Sequence, residues 1–220
     1  VETENDFGFQ GTPPTHPGLL DYLAIDFVEH DWSLKHIVRR IAKSATYQQS
    51  SAFRRDLAKV DPRNLLWGRQ ARLRVEAEIV RDLALAASGL LEDRIGGPSV
   101  YPPQPKGVYA FTQRKAHWAT SKGADRYRRG MYTFFMRSAP FPMLTTFDMP
   151  RMNTVCTRRV RSNTPLQALT MANSEAMVEC ARALGKRLAA QAGDDKSKIV
   201  LAFELCLARH PDPVEMKTMT

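Results

Sequence analysis

The sequence predicts a mainly α fold, a multi-helix domain with a small β-hairpin and long irregular loops. Apolar residues recur at helical spacing in several segments, most clearly along residues 34–41, which is the pattern of an amphipathic helix. Residues 131–136 include three aromatic side chains and no helix breaker, so they are the best strand candidate. Proline and glycine interrupt residues 96–125, which are therefore predicted to form a long loop.

Capping signals place the N-terminal helices. Thr15 is predicted to cap the first helix, with Pro17 in its first turn, because a hydroxyl can accept an unpaired N–H and proline needs no donor there. Ser33 is predicted to cap the second helix in the same way. A third helix is predicted over residues 70–88 and ends at Gly89, which suits the left-handed turn after a helix.

The C-terminal helices follow the same rules. Thr164 and Pro165 are a cap followed by proline at the first helical position. Asn173 interrupts the apolar stripe that follows, so the helix is predicted to break there, with Ser174 as a new cap. A last helix is predicted over about residues 195–209.

We expect one domain, cut from a larger protein, because the chain starts at Val1 rather than at methionine. Residues 1–92 are predicted to form the N-terminal helices and residues 163–220 the C-terminal helices. Residues 93–162 are predicted to form a basic loop and the hairpin, with residues 144–147 as its second short strand.

The composition excludes several classes of protein. Hydrophobic residues make up 43% and charged residues 25% of the chain, so a buried core is possible and general disorder is not expected. No apolar run approaches the roughly 20 residues that a membrane span needs. The three cysteines form no C-x-x-C pair, so neither a zinc ribbon nor a c-type haem attachment is encoded here.

The net charge of +9 is concentrated in one segment. Between Pro105 and Pro165 there are twelve basic residues, opposed only by Asp125 and Asp148. Arginine grips sulfate, phosphate or carboxylate through two donors, and aromatic rings stack on sugars or bases. The candidate ligand-binding residues are Arg128, Arg129, Arg137, Arg158, Arg159, Arg161 and Tyr132.

Three interpretations of this arginine segment are open. The arginines could bind an anionic glycan, or they could bind nucleic acid. Alternatively, they could hold the loops together by donating to backbone carbonyls and to the carboxylates of the 70–88 helix, because irregular loops need donors for unpaired carbonyls.

Catalytic signals are weak. Asp6, His16 and Asp21 lie near one another in sequence, and a histidine between carboxylates could act as a general base. The alternative is that Asp6 and His16 cap turns and helix ends. None of the five histidines pairs with another three or four residues away, so no metal site is predicted.

Several short strings together carry a family resemblance. They are Asn5–Gly8, Pro14–Pro17, Trp32–Lys35, Tyr47–Ser50, Asp61–Asn64, Gly96–Val100, Arg128–Phe134 and, above all, Arg161–Leu169. Through these strings the chain resembles a planctomycete-specific domain of unknown function, which is found toward the C-terminus of large exported proteins. Those proteins often also carry a planctomycete-type cytochrome c module and another uncharacterised domain upstream.

The resemblance implies location in the periplasm or at the cell surface, with upstream domains of the same polypeptide as partners. It implies no cofactor in this fragment and a haem c elsewhere in the full-length protein. The first hypothesis is an accessory or binding domain of an exported, haem-associated protein, with a sulfated or otherwise anionic polysaccharide as partner. The alternative is an exported enzyme, either a glycan hydrolase or an oxidoreductase coupled to the cytochrome c module. Export argues against nucleic acid as the partner.

Overall fold

A computed structural model describes residues 2–4, 6, 8–110, 112 and 117–220. Within these residues the chain is mainly helical and contains no β-sheet. The α-helices are α1 (Pro17–Glu29), α2 (Leu34–Ala42), α3 (Ala77–Ser88), α4 (Pro142–Thr146), α5 (Pro165–Asn173), α6 (Glu175–Ala189), α7 (Asp195–Leu207) and α8 (Pro213–Met219). Short 3-10 helices span Gly123–Tyr127 and Gly130–Tyr132.

The chain divides into two compact units. Unit 1 is Val1–Leu73 and unit 2 is Arg74–Thr220. The division falls inside the predicted N-terminal region of residues 1–92. That the chain forms one domain, and that it is a piece of a larger protein, stay predictions.

Unit 1 consists of α1, α2 and the irregular segment that follows them. Ser33 caps α2 by accepting a hydrogen bond from the N–H of His36, as predicted. The predicted cap of α1 is wrong: His16 holds the N-cap position without a side-chain bond, and the Thr15 hydroxyl instead lies 3.0 Å from His16 Nδ1. Pro17 is the first residue of the helix, as the sequence indicates.

The interior of unit 1 is unusual in its chemistry. Of the residues that the structure describes up to Leu73, only two are buried, and both are aspartates, Asp26 and Asp61. Asp61 accepts hydrogen bonds from the backbone N–H groups of Leu65 and Leu66 at 2.8 and 2.7 Å. Unit 1 is therefore organised around polar side chains, since none of its described apolar side chains is fully buried.

Unit 2 has a conventional apolar core. Its central helix, α3, packs on α4, α6 and α7. The buried cluster consists of Ala77, Phe141, Met143, Leu144, Phe147 and Met177. Trp118 packs against this cluster and stacks on Phe141 with ring centroids 5.7 Å apart. Burial of this apolar surface is the main term that stabilises the unit.

Local sequence signals define the ends of most helices in unit 2. Thr164 and Gln167 form a reciprocal capping box at the start of α5. The predicted break is confirmed, because α5 ends at Asn173 and Ser174 caps α6. Gly89 ends α3 in the left-handed conformation, with φ of 77°. Arg187 of α6 donates to two carbonyl oxygens in the last turn of α3, those of Ala86 and Ala87.

The predicted β-hairpin is not found. Residues 144–146 lie in α4, and Phe147 is the C-cap of this helix. Leu144 and Phe147 pack in the apolar core. Residues 131–136 begin in a 3-10 helix and make a single parallel bridge, between Thr133 and Val100. Strand-forming side chains therefore lie in an extended loop that pairs through only one bridge.

The 70–88 helix is shorter than predicted, because α3 begins at Ala77. Arg74 explains the extended approach: its guanidinium donates to Asp148 at 2.5 Å and to the carbonyl oxygens of Phe147 and Ser162. These tertiary bonds hold Arg74 outside the helix, although periodicity alone would extend the helix to residue 70. None of the helices in the described residues combines the length and the apolar character that crossing a membrane requires.

Candidate binding site

Arg128 is engaged inside unit 2. Its side chain is completely buried, and its guanidinium donates to the carbonyl oxygens of Arg94, Gly96 and Pro98. It also lies 3.7 Å from the centroid of the Tyr132 ring, a cation–π contact. The Tyr132 hydroxyl accepts the N–H of Gly96 at 2.7 Å. Both residues thus fix the 94–98 turn.

The neighbouring arginines are neutralised by carboxylates of the α3 region. Arg159 bridges Glu76 and Glu78 at 3.1 and 2.8 Å. Arg161 lies 3.5 Å from Glu76, and Arg129 lies 3.8 Å from Asp82. The hydrogen bond to Glu78 raises the pKa of Arg159. These contacts match the structural interpretation of the segment, in which arginines tie loops to the carboxylates of this helix.

Three of the predicted ligand-binding arginines are exposed, namely Arg137, Arg158 and the Arg161 already described. Arg137 makes no hydrogen bond or ion pair with any residue that the structure describes. Arg158 is also exposed, and its carbonyl oxygen accepts from Cys156 Sγ. The predicted ligand-binding role of the arginine segment stays a prediction.

Arg126 pairs with two carboxylates of α6. Its guanidinium contacts Glu179 at 3.0 Å and Glu175 at 3.1 Å, and the Tyr127 hydroxyl donates to Glu179 at 2.8 Å. Burial opposes ionisation of Glu179, but the hydrogen bonds from Arg126 and Tyr127 outweigh it and lower the pKa of this carboxyl.

This arrangement predicts acid sensitivity of unit 2. Because the folded-state pKa of Glu179 lies below its ordinary value, its stabilising effect is complete above the ordinary carboxyl range, about pH 4, and is lost as the pH falls toward the folded pKa. Glu179→Gln should cost about 1–2 kcal/mol at neutral pH, and this difference from the wild type should shrink in acid. Urea unfolding of both proteins at a series of pH values measures it. A difference that stays constant with pH would contradict the assignment.

The structure does not assemble the predicted catalytic group. Asp6 is exposed, and no hydrogen bond or ion pair joins it to His16 in the part of the chain that is described. His16 instead stacks on Trp67, with ring centroids 4.4 Å apart. Asp21 is likewise exposed on α1. A catalytic role for Asp6 and His16 stays a prediction without a supporting contact.

A cavity in unit 1 was missed by the sequence analysis. Its volume is about 830 Å³, and it lies between α1, α2 and residues 44–71. Its wall carries four cationic side chains and three aromatic rings: Arg39, Arg40, Lys43 and Arg69, and Tyr22, Tyr47 and Trp67. Among the described residues, no aspartate or glutamate lines the cavity. The basic face of α2, visible in the sequence, was the one signal that pointed to it.

The loop side of the cavity is held by amide side chains. Gln49 donates to the carbonyl oxygen of Trp67 at 2.8 Å, and Gln70 donates to that of Tyr47 at 3.0 Å. Asn64 exchanges two hydrogen bonds with the backbone of Arg69. These bonds give Tyr47, Trp67 and Arg69 fixed backbone positions around the opening.

The cations differ in how they are held. Arg40 lies over the Tyr22 ring and 3.6 Å from Asp26. Arg39 lies on α2 and Lys43 is its C-cap residue, four positions later, and neither side chain has a partner among the described residues. Arg69 also makes no side-chain ion pair there. The cavity therefore presents three unneutralised cations beside one that is already partly compensated.

A second polar group adjoins the cavity, because one of its members, His36, also lines the wall. Asp26, His30 and His36 each place one potential metal-ligand atom within 4.8 Å of the others. This group contains no pair of histidines three or four residues apart. It combines a carboxylate and a histidine four residues apart with a histidine from the next helix. The spacing Asp-x3-His-x5-His could have indicated it.

The comparisons with known proteins give one result. The family model PSD1, described as a protein of unknown function (DUF1553), matches residues 1–220. No curated protein and no solved structure matches the chain.

Proposed function

Because the chain belongs to the PSD1 family, whose function is unknown, we propose from its geometry that it is a binding domain for an acidic polysaccharide, held in the unit 1 cavity. The observation that carries this proposal is the lining: four cations and three aromatic rings without a carboxylate. Such a wall favours an anion over a neutral or cationic ligand.

The aromatic rings favour a sugar among anionic ligands. Tyr47 and Trp67 are about half exposed, and Trp67 is fixed through its backbone and through the stack on His16. Apolar ring faces pack against the C–H groups of a pyranose, while guanidinium groups bind its sulfate or carboxylate through two hydrogen bonds. A volume of about 830 Å³ admits a short oligosaccharide stretch rather than a single small ion.

The biological setting follows from the family resemblance and is part of the proposal. The domain would act outside the cytoplasm as an accessory module of a larger planctomycete protein that holds a haem c in another domain. Nothing in the described geometry favours the alternative of a hydrolase or an oxidoreductase, because Asp6 and His16 do not interact.

The test is binding of polymers that differ only in charge. Dextran sulfate, polygalacturonate and neutral dextran are titrated against the full chain, and binding is followed by tryptophan fluorescence. We expect the two acidic polymers to bind and neutral dextran not to bind. The double variant Arg39→Ala/Lys43→Ala should weaken binding about tenfold or more, because two charge-assisted contacts are lost. Both side chains are exposed, and alanine is a good helix former at Arg39, so we expect the far-UV circular dichroism of this variant to match that of the wild type.

The matched control is Arg137→Ala/Arg151→Ala, which removes the same charge from exposed positions of unit 2. Unchanged binding by this variant supports the cavity. If it loses binding while the cavity variant does not, the site belongs to the arginine segment instead. Equal losses in both variants mean that only net charge attracts the polymer, and either of these results overturns the proposal.

A further inference from the structure

We infer that Asp26, His30 and His36 form a zinc site that clamps α1 to α2. This inference rests on other observations than the proposed polysaccharide binding, although His36 also lines the cavity. Asp26 lies on α1, His30 is the C-cap residue that follows this helix, and His36 lies on α2. His36 Nε2 lies 2.8 Å from Asp26 Oδ2, and His30 Nδ1 lies 3.5 Å from Asp26 Oδ1. The two imidazole rings stack with centroids 3.7 Å apart.

The carboxylate is the fixed member of the group. The Asp26 side chain is only 6% exposed, whereas His30 is 47% exposed and can turn toward it. In the described state His36 donates its Nε2 proton to Asp26, and His30 Nδ1 donates to the Asp26 carbonyl oxygen. Moving the His36 proton to Nδ1 leaves a neutral ring whose Nε2 lone pair can bind a dication beside the carboxylate.

A second observation points to a cross-link in this part of the chain. Unit 1 buries none of its described apolar side chains, and all three cysteines lie in unit 2, so no disulfide can staple it. Small units with little apolar core commonly depend on a disulfide or a metal ion for stability. A metal held by Asp26, His30 and His36 would join α1 to α2, the two helices in the described part of the unit, at the buried Asp26 carboxylate.

The donor set selects the metal. Two imidazole nitrogens and one carboxylate oxygen suit zinc and related transition-metal dications, whereas calcium and magnesium prefer oxygen ligands. The Arg40 guanidinium lies 3.6 Å from Asp26 Oδ1, on the same carboxylate. Its positive charge opposes a dication, so removing it should tighten zinc binding.

The experiment uses the tag-free full chain after dialysis against a chelator, titrated with zinc sulfate by calorimetry. We expect one zinc per chain and no binding of magnesium or calcium. His30→Ala and His36→Ala should each weaken zinc binding at least tenfold. The controls His16→Ala and His210→Ala remove histidines outside the cluster and should bind as the wild type does. Cobalt substitution adds a spectroscopic readout, because its visible absorption reports nitrogen and oxygen coordination directly.

Two results overturn the inference: a wild-type chain that binds no zinc, or His30→Ala and His36→Ala variants that bind it as tightly as the wild type. Should far-UV circular dichroism show that these variants are unfolded, Arg40→Gln decides instead. This variant leaves all three ligands in place, and we expect it to bind zinc severalfold more tightly. Unchanged or weaker binding would count against a site at Asp26.

Discussion

Replacing Arg128 with methionine is expected to lower the free energy of unfolding by about 3–5 kcal/mol. The side chain is fully buried, and its guanidinium is the common donor to the carbonyl oxygens of Arg94, Gly96 and Pro98. Methionine fills much of the volume but donates nothing, so these carbonyls lose a partner away from water. The contact with the face of Tyr132 is lost as well.

Arg128→Lys should rescue little of this loss, because one ammonium cannot reproduce the planar fork that reaches several carbonyls at once. Arg137→Ala is the matched control, since it removes an exposed arginine nine residues further on and should change stability by less than about 0.5 kcal/mol. Urea denaturation followed by circular dichroism compares the variants. Equal stability of the Arg128 and Arg137 variants would show that the buried guanidinium does not hold the loop.

Replacing Gly130 with alanine should be the second most damaging of these changes, at about 2–3 kcal/mol. A Cβ at this position would lie 2.7 Å from the carbonyl oxygen and 2.8 Å from the Cα of Glu78, both backbone atoms of α3. The backbone N–H of Gly130 also donates to Asp82 at 2.6 Å, so the segment cannot move away without breaking that bond. A shift of the segment that relieves the clash therefore breaks the hydrogen bond to Asp82.

Gly185→Ala, in the same unit, is expected to stabilise the protein instead of destabilising it. Gly185 lies inside α6 with nothing within 4 Å of an added Cβ, so alanine should stabilise the helix by up to about 1 kcal/mol. Thermal unfolding of the two variants beside the wild type separates the effects. A Gly130 variant as stable as the Gly185 variant would mean that the close approach to α3 is absent in solution.

The helices were predictable where the signal is local. Ser33, Thr164 and Ser174 cap helices through bonds that span three residues, so the short-range sequence contains the whole interaction. Residues 131–136 show the opposite case. Their side chains favour a strand, but a strand requires a partner along its length, and the chain offers Thr133 only one bridge with Val100.

For the candidate binding residues, the sequence predicted the type of side chain but not its surroundings. The sequence indicated a surplus of arginine, but not that Arg128 would be buried or that Arg159 would meet Glu76 and Glu78. Those pairings depend on contacts between residues that are 30 or more positions apart in the chain. The unit 1 cavity has the same origin, since Arg69 and Trp67 meet the basic face of α2 only after the loop has folded back.

The donation from Arg187 to the end of α3 has a consequence for the order in which unit 2 forms. The last carbonyls of α3, at Ala86 and Ala87, receive their guanidinium partner from a residue about 100 positions later. During synthesis, α3 therefore leaves the ribosome long before its C-terminal negative dipole can be compensated. The end of this helix should stay frayed until α6 docks, so that closure of a long loop, rather than helix propagation, limits its completion.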